Sequence, residues 1–389
     1  MMVGRTYPPD PRVDEAKVYP VAQLIERLAL ANMRRRSDEM VGPCPNCGGD
    51  DRFNVRISTG QFLCHQCDLR GGDQIALVME CERLAFPDAL KWLIGDRPAD
   101  PAEVERRQKA AAKSKKTTDA ANDQFRKNAI ASAKAIWRGG VDATATQAHA
   151  YLEARGISRE MLPIVPAAIR FHPTLDYREK GKDGWQTIHT GPAMLAKMVQ
   201  PDGSFGGVHR TWLDLSKPKG KIQIELFGEF RAKNKKDTYF DAKKTLGSKK
   251  GGTIRLSLPS GADTMVVGEG IETTFTAMVS GVFPDAAFVC AIDLGNMAGE
   301  RVAIDVPGKR PSKRLSTIPD LSDCRALVPP KWVKRLIYIQ DGDSDPDFTR
   351  AQLNAGLQRA MAMRPGIQCQ IWPAPCGLDL NDALIGSGA

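Results

Sequence analysis

The sequence predicts a multidomain chain of the α/β and α+β classes, and three observations support this prediction. Four cysteines form two C-x₂-C pairs near the N-terminus. Eight Lys or Arg residues lie between residues 231 and 250, within a segment of short strands and turns. Beyond residue 262, apolar runs of strand length alternate with helical patterns. The predicted parts are a small N-terminal module at 1–95, a charged linker at 96–140, a basic α+β subdomain at 141–262 and an α/β domain at 263–389.

The composition is that of a globular protein with an excess of positive charge. With 389 residues, 42% of them hydrophobic, the chain can bury more than one core. No apolar run approaches the roughly 18 to 20 residues of a membrane span, and the N-terminus lacks the apolar segment of a signal peptide. We therefore expect a cytoplasmic protein without a membrane partner. The net charge of +9 suits a polyanionic partner, although such an excess also serves solubility.

The N-terminal module is predicted from its cysteines. Residues 48–63 separate the two C-x₂-C pairs, a spacing typical of a structural zinc site. The segments between the pairs alternate as a short hairpin does, which indicates a zinc ribbon. Four thiolates complete a tetrahedral shell, so the Zn²⁺ is expected to be structural, with His65 as an alternative ligand. The four predicted ligands are Cys44, Cys47, Cys64 and Cys67.

Two roles are open for the ribbon. It can be a folding element alone, because zinc supplies folding energy to modules too small for a large core. It can also bind single-stranded nucleic acid, which uses positive charge together with stacking surfaces. The residues that favour binding are Arg52, Arg56, Arg70, Phe53 and Phe62. After the ribbon, apolar residues at helical spacing predict helices that end near Gly95.

The linker and the middle segment are both rich in charge. Residues 96–140 are polar and favour a solvated helix, with contact to a phosphate backbone as the alternative. In the middle segment, Tyr239 and Phe240 interrupt the basic run and are expected to stack on bases. Gly251 and Gly252 are expected to let the backbone approach a nucleic-acid strand or a triphosphate, with a flexible soluble loop as the alternative.

The middle segment also supplies the candidate contacts to nucleic acid or nucleotide. Two of them are arginines beside glycine pairs, at expected strand ends, where they can reach a phosphate. The others are lysines of the basic run. The six candidates are Arg210, Lys243, Lys244, Lys249, Lys250 and Arg255.

The C-terminal domain is predicted from strands that alternate with helices. This order implies a mostly parallel sheet, in which ligands collect beyond the carboxyl ends of the strands. Glu269, Asp341, Asp343 and Asp379 follow predicted strands. Such a cluster needs a compensating cation, and Mg²⁺ prefers oxygen ligands. If the chain stays extended after "RLIYIQ", the alternate aspartates from 341 to 347 share one side; an acidic turn that caps the next helix is the alternative.

These motifs resemble a known domain. "VVGEGIETTFTA" followed by "IYIQDGDSD" is similar to the Toprim domain of DnaG-type primases, topoisomerases and certain nucleases. "GLDLNDAL" resembles the final acidic motif of the primase branch and adds Asp382 as a further candidate. The resemblance implies a Rossmann-like fold in which Glu269, Asp341 and Asp343 are catalytic. It also implies that these three residues and Asp379 bind Mg²⁺ or Mn²⁺.

With the ribbon and the basic middle, the order along the chain is similar to phage and plasmid primases. The resemblance implies synthesis of short RNA primers from ribonucleoside triphosphates on single-stranded DNA, with the ribbon selecting the start sequence. No helicase segment follows residue 389, so a replicative helicase is expected to act in trans. A proline-containing basic insertion at 301–330 is predicted to be a surface loop. The alternatives are a Toprim nuclease and a non-catalytic DNA-binding replication protein.

Overall fold

The chain forms two compact units, whose main boundary lies between Phe125 and Arg126. None of the helices described combines the length and apolar character that a membrane crossing requires. The computed structural model describes residues 10, 12–67, 69–95, 101–234, 237–306, 309–323, 326–342, 345–374, 377 and 380–381.

The N-terminal unit consists of a five-stranded antiparallel sheet with two short helices before it and two after it. Its elements are α1 Arg12–Lys17, α2 Val21–Arg27, β1 Arg34–Arg36, β2 Glu39–Cys44, β3 Gly48–Arg56, β4 Phe62–Cys64, β5 Arg70–Gly71, α3 Gln74–Glu82 and α4 Phe86–Ile94. The strands lie in chain order, β1-β2-β3-β4-β5. The β3–β4 pair, with Phe53 opposite Cys64, is the predicted hairpin. The sequence analysis did not predict α1 and α2, because helices of six and seven residues are too short to show a clear apolar period.

Phe53 and Phe62 do not form the exposed stacking surface that the sequence suggested. Their side chains are 0% and 1% exposed, and their ring centroids are 6.0 Å apart. Phe53 and Val55 alternate with exposed neighbours along β3, and both belong to the core that α3 and α4 complete. A unit this small has few large apolar side chains, so its core uses them. This part of the prediction was wrong.

The predicted linker is one helix, α5 Pro101–Gly139. Its last turns are not solvated throughout. Ala133 is fully buried in a core of the C-terminal unit, and Ile136 and Trp137 pack against the same core. The guanidinium of Arg170 lies 4.7 Å from the ring centroid of Trp137. The end of α5 therefore belongs to the C-terminal unit.

The C-terminal unit is built on one ten-stranded sheet. Most of it follows the order β10-β9-β8-β11-β13-β12-β16-β17, while β7 pairs with β8 and β6 pairs with β7. A separate two-stranded sheet, β14-β15, lies within the predicted surface loop. The elements are β6 Val141–Asp142, α6 Gln147–Ala154, β7 Ile169–Gly181, β8 Gly184–Val199, β9 Phe205–Trp212, α7 Gly228–Lys233, β10 Lys243–Gly247, β11 Thr253–Ser257, β12 Thr264–Gly268, α8 Ile271–Val279, β13 Ala287–Cys290, α9 Leu294–Ala298, β14 Ile304–Val306, β15 Lys309–Ser312, β16 Arg335–Gln340, α10 Pro346–Met363 and β17 Gln368–Pro373.

Four neighbouring strands of this sheet are parallel, as the alternation of strands and helices predicts. β12 pairs in parallel with β13 and with β16, and β16 pairs in parallel with β17. β11 is antiparallel to both β13 and β8 and joins the parallel strands to the antiparallel ones. The segments predicted as two domains, 141–262 and 263–389, therefore share a single sheet.

Successive residues of the parallel strands point to opposite faces and build two cores. Val266 and Ile337 belong to the core that contains Phe275 of α8. Val267 and Tyr338 belong to the core on the other face, which includes residues of α9 and α10. With both faces covered, the carboxyl edge of the strands is where polar side chains can collect.

A buried arginine anchors the insertion to the C-terminal unit. Arg359 of α10 is fully buried. Its guanidinium donates to the carbonyl oxygens of Asp323 at 2.7 Å, Glu300 at 2.9 Å, Asp320 at 3.0 Å and Ala298 at 3.4 Å. Because these carbonyls satisfy a buried charge, both ends of the segment 300–323 are held against α10.

Candidate functional sites

The four predicted zinc ligands converge at one point. Their Sγ atoms all lie within 4.8 Å of one another. The distances are 3.7 Å between Cys44 and Cys67 and 3.5 Å between Cys47 and Cys64. A tetrahedral zinc ion with Zn–S bonds of about 2.3 Å places its sulfur ligands about 3.8 Å apart. The cluster therefore fits one zinc ion and completes its coordination.

Backbone amides support the thiolates of the cluster. Cys44 Sγ accepts a hydrogen bond from Asn46 N at 3.4 Å, and Cys64 Sγ accepts from Gln66 N and Cys67 N, both at 3.4 Å. Such bonds favour the charged form of a ligand and fix its orientation. The side chain of His65 is exposed and is not a member of the cluster.

The sequence analysis missed a basic strand at the edge of the zinc-binding sheet. Arg34, Arg35 and Arg36 make up the whole of β1, and all three are exposed. Among the residues that the structure describes, Arg34 and Arg36 have no hydrogen-bond or ion-pair partner, while Arg35 Nε donates to Ser37 O at 3.3 Å. An open groove of about 440 Å³, lined by Met33 and residues of α2 and β2, adjoins the strand. The signal in the sequence was the run of three arginines before a turn.

The structure brings Glu269 and Asp341 to the same edge of the sheet. They directly follow β12 and β16, which are adjacent and parallel, with Val267 opposite Tyr338. Both side chains are half-buried. From α8, Thr273 Oγ1 lies 3.4 Å and 3.5 Å from the two carboxylate oxygens of Asp341. The predicted ligands outside the described residues are Asp343, Asp379 and Asp382.

The turn that carries Glu269 requires a glycine before it. A Cβ atom at Gly268 would lie 2.5 Å from Thr274 Oγ1 and 3.2 Å from Thr274 N. Thr274 in turn donates its hydroxyl to Gly270 O at 2.7 Å, within the first turn of α8. The close approach of β12 to α8 therefore fixes the position of the glutamate between them.

Two of the four alternate aspartates do not join Glu269 and Asp341. The extended conformation ends with β16 at Gln340, and α10 begins at Pro346. Asp345 is the N-cap of α10 and accepts a hydrogen bond from Phe348 N at 3.1 Å. That bond and Arg314, whose Nη2 is 2.6 Å from Asp345 Oδ2, hold the pKa of Asp345 below its usual value. For Asp345 the alternative, a helix cap, is what the structure contains.

Arg210 and Arg255 lie within strands and not at strand ends. Arg210 is in β9, opposite Leu195, with its guanidinium 5.2 Å from the Trp212 ring. Its burial lowers the pKa of Arg210 to about 10. Arg255 is in β11 and donates to Gln200 O at 3.3 Å. The predicted placement beside a strand end was wrong, and their contact with phosphate stays a prediction.

Two lysines of the basic run have acidic partners. Lys244 pairs with Glu179 and donates to Arg178 O at 2.9 Å. Lys249 pairs with Asp293 at 2.6 Å. Much of the apparent excess of charge is therefore balanced within the fold. The members of the run that lie outside the described residues are Lys235 and Lys236.

The glycine pair after Lys250 is already engaged. Gly251 N donates to Asn296 Oδ1 at 2.7 Å, and Asn296 Nδ2 donates to Gly252 O at 2.8 Å. The asparagine thus takes the backbone groups that the sequence suggested for a strand or triphosphate. Lys250 itself is exposed and remains a candidate contact.

The aromatic pair in the basic run is divided between surface and core. Tyr239 is 43% exposed, but Phe240 is 7% exposed. The Phe240 ring lies 5.3 Å from Phe230, 5.8 Å from Phe227 and 6.0 Å from Tyr177, measured between centroids. Phe240 therefore belongs to an aromatic core and is not available to stack on a base.

A buried ionic network lies beside the acidic edge, and the sequence analysis missed it. Glu272 of α8 is 5% exposed. Its carboxylate is 3.1 Å from Lys221 Nζ and 3.2 Å from Lys243 Nζ, and it accepts a hydrogen bond from the hydroxyl of Tyr151. Although burial opposes ionisation, the two ammonium groups hold the pKa of Glu272 well below its usual value. No local pattern indicates this site, since the partners come from three distant segments.

Comparison with known families supports the ribbon. Residues 40–75 match the family described as the zinc-binding domain of primase-helicase. Residues 127–256 match a family described as a domain of unknown function, DUF7146. No curated protein matches the chain. The ribbon match and the convergence of the four thiols together support a structural zinc ion.

Two solved structures show a distant likeness. The primase fragment of the bacteriophage T7 primase-helicase protein is 14% identical over 89% of this chain and 94% of that one, with a TM-score of 0.31. A DNA primase domain from Pseudomonas aeruginosa is 13% identical over 66% of this chain and 74% of that one, with a TM-score of 0.34. TM-scores of this size do not establish a shared fold.

Proposed function

We propose that the chain is a DNA primase of phage, plasmid or mobile-element type. It synthesises short RNA primers on single-stranded DNA by metal-dependent nucleotidyl transfer, using a Toprim domain. The observation that carries this proposal is the placement of Glu269 and Asp341 after adjacent parallel strands, in a chain whose ribbon matches the primase-helicase family. Ribonucleoside triphosphates are the substrates, and a replicative helicase is the partner in trans.

The acidic edge is the catalytic centre in this proposal. Glu269 and Asp341, joined by Asp343 and Asp379, hold Mg²⁺ or Mn²⁺, and carboxylate oxygens are the ligands that these hard ions prefer. When bound, the metal neutralises the triphosphate and lowers the pKa of the primer 3′-hydroxyl. Thr273 orients the carboxylate of Asp341 through its hydroxyl. An oriented ligand needs less reorganisation during the reaction.

The zinc-binding unit selects the template in this proposal. With Phe53 and Phe62 buried, its contact to DNA depends on the exposed arginines of β1 and on the groove beside them. Phosphate contacts of this kind give affinity that falls steeply with salt and carries little sequence information by itself. Selection of a start sequence then requires base contacts in the groove.

Replacing Arg34 and Arg36 together by alanine is expected to weaken binding of single-stranded DNA. Removing one arginine–phosphate interaction reduces the slope of log K against log salt concentration by about 0.7 for single strands, so the double variant should reduce it by about 1.4. Fluorescence anisotropy at four or more salt concentrations measures this slope. Arg83→Ala is the control, because Arg83 is an exposed arginine of the same unit outside the sheet. An unchanged slope would place the DNA on another surface.

Primer synthesis by the purified protein tests the proposal directly. The reaction contains single-stranded DNA templates of varied sequence, labelled ribonucleotides and either Mg²⁺ or Mn²⁺. A primase produces short labelled oligoribonucleotides. The competing functions give other results, because a metal-dependent nuclease shortens labelled DNA and a non-catalytic binding protein only retains it. Either result without labelled products would overturn the proposal.

A further inference from the structure

The network around Glu272 carries more positive charge than its partners balance. Lys221 and Lys243 both contact the one carboxylate, and within the described residues neither has a second acidic partner. The buried imidazole of His209 adds no charge, because burial and nearby Lys243 lower the pKa of His209 to about 4. Two ammonium groups and one carboxylate leave one net positive charge.

The lysines remain open to a ligand, whereas the glutamate does not. The side chains of Lys221 and Lys243 are 21% and 32% exposed, compared with 7% for Glu272. Each ammonium group has three N–H donors, and its contact with Glu272 uses one of them. Donors therefore remain for oxygen atoms that approach from the solvent side.

The network is close to the acidic edge that holds Glu269. Glu272 lies in the first turn of α8, directly after the turn that carries Glu269. The thiol of Cys290 donates to Glu269 O at 3.2 Å. Burial raises the pKa of Cys290 to about 12, and the charges of Glu272, Lys243 and Glu269 all act on this one thiol. Unbalanced positive charge thus lies beside a group of carboxylates that is proposed to bind metal.

We propose that Lys221 and Lys243 form a binding site for the phosphate chain of the incoming nucleotide, and that Glu272 is the positioning residue that fixes both lysines. This inference rests on the proposed function. Glu272 does not bind the catalytic metal, because its carboxylate is enclosed by the two lysines and Tyr151. Instead it joins α8 to β10 and to the segment before residue 222, so that the lysines reach the acidic edge in a fixed arrangement.

A purely structural role gives a different expectation. A buried ion pair contributes little net stability, since the cost of desolvation offsets the attraction between its charges. If the network only stabilises the fold, replacing Lys221 changes the melting temperature and leaves phosphate binding as it was. If the proposal is right, the same change weakens phosphate binding and retains a balanced Lys243–Glu272 pair.

Binding of inorganic tripolyphosphate to the full chain tests the site without requiring catalysis. Isothermal titration calorimetry at low salt and without divalent metal is expected to show a Kd at least about tenfold higher for Lys221→Met, as for loss of one charge-assisted hydrogen bond. Lys221→Arg should retain most of the affinity. Lys217→Met is the control, because Lys217 is an exposed lysine four positions earlier in the same segment. Unchanged tripolyphosphate binding in Lys221→Met would overturn the proposal.

Two further measurements separate the remaining outcomes. If Lys221→Met weakens single-stranded DNA binding and not tripolyphosphate binding, the lysines contact the template backbone and the proposal fails. Glu272→Gln is expected to raise the KM for ribonucleotides and leave Mn²⁺ binding, measured by electron paramagnetic resonance, unchanged; loss of Mn²⁺ would make Glu272 a metal ligand and overturn its positioning role. A wild-type chain that binds tripolyphosphate through Lys221 but makes no primers would retain this site and contradict the proposed function.

Discussion

Replacing Glu269 by glutamine is expected to abolish primer synthesis, with a loss of more than about 100-fold. That figure is the upper end of the effect of outer-shell partners of a metal site, and a direct ligand should exceed it. Glutamine keeps the size of the side chain and removes the charge that binds a divalent ion. Asp341→Asn should give a loss of the same order, because the two carboxylates follow neighbouring parallel strands.

The measurement is the initial rate of labelled primer formation, together with the binding of Mn²⁺. Zinc content and affinity for single-stranded DNA should stay at wild-type values in both variants. Asp285→Asn is the control, since Asp285 is an exposed acid of the same unit in a left-handed turn that asparagine also tolerates. Undiminished synthesis in Glu269→Gln would show that this carboxylate has no part in the chemistry.

Replacing Cys64 by alanine is expected to remove zinc and to disrupt the N-terminal unit. Apparent zinc-binding free energies of about 10–16 kcal/mol make such sites a major source of folding energy in small modules. Cys64 is also 3% exposed and belongs to the core of the unit, so its loss disturbs packing as well as the metal. In the proposed primase, initiation on a bare template should fall much more than extension of a preformed primer.

Zinc content after thiol modification and the two synthesis rates check this expectation. The wild-type chain should release one equivalent of zinc, and Cys64→Ala should release little or none. Cys81→Ala is the matched control, because Cys81 lies in α3 of the same unit and outside the thiol cluster. Full zinc content in Cys64→Ala would contradict the four-cysteine site, and equal losses of initiation and extension would contradict a role in choosing the start.

Features that depend on neighbouring residues were predicted well. The spacing of Cys44, Cys47, Cys64 and Cys67 predicts a cluster, and the structure contains it. Alternation of strands and helices predicts parallel strands, and four of them are present. Because the position after a strand is a local property, Glu269 and Asp341 were candidates before any contact was known. Their catalytic role stays a prediction.

Features that depend on which segments meet were not predicted. Phe53, Phe62 and Phe240 have composition and neighbours that also suit a binding surface, and only their packing in cores excludes it. β11 carries no mark of the partners it has, so the sheet that joins the two predicted domains was missed. Asp345 caps α10 because the chain leaves the extended conformation before it.

For this protein, local patterns in the chain suffice to indicate a zinc ribbon, the parallel strands and the acids that follow them, since spacing and periodicity act over a few residues. The fold alone assigned Glu272 to two lysines and Tyr151, and Arg359 to the carbonyls of the insertion. A buried charge must find its partners wherever the fold brings them, and that distance along the chain leaves no trace in a local pattern.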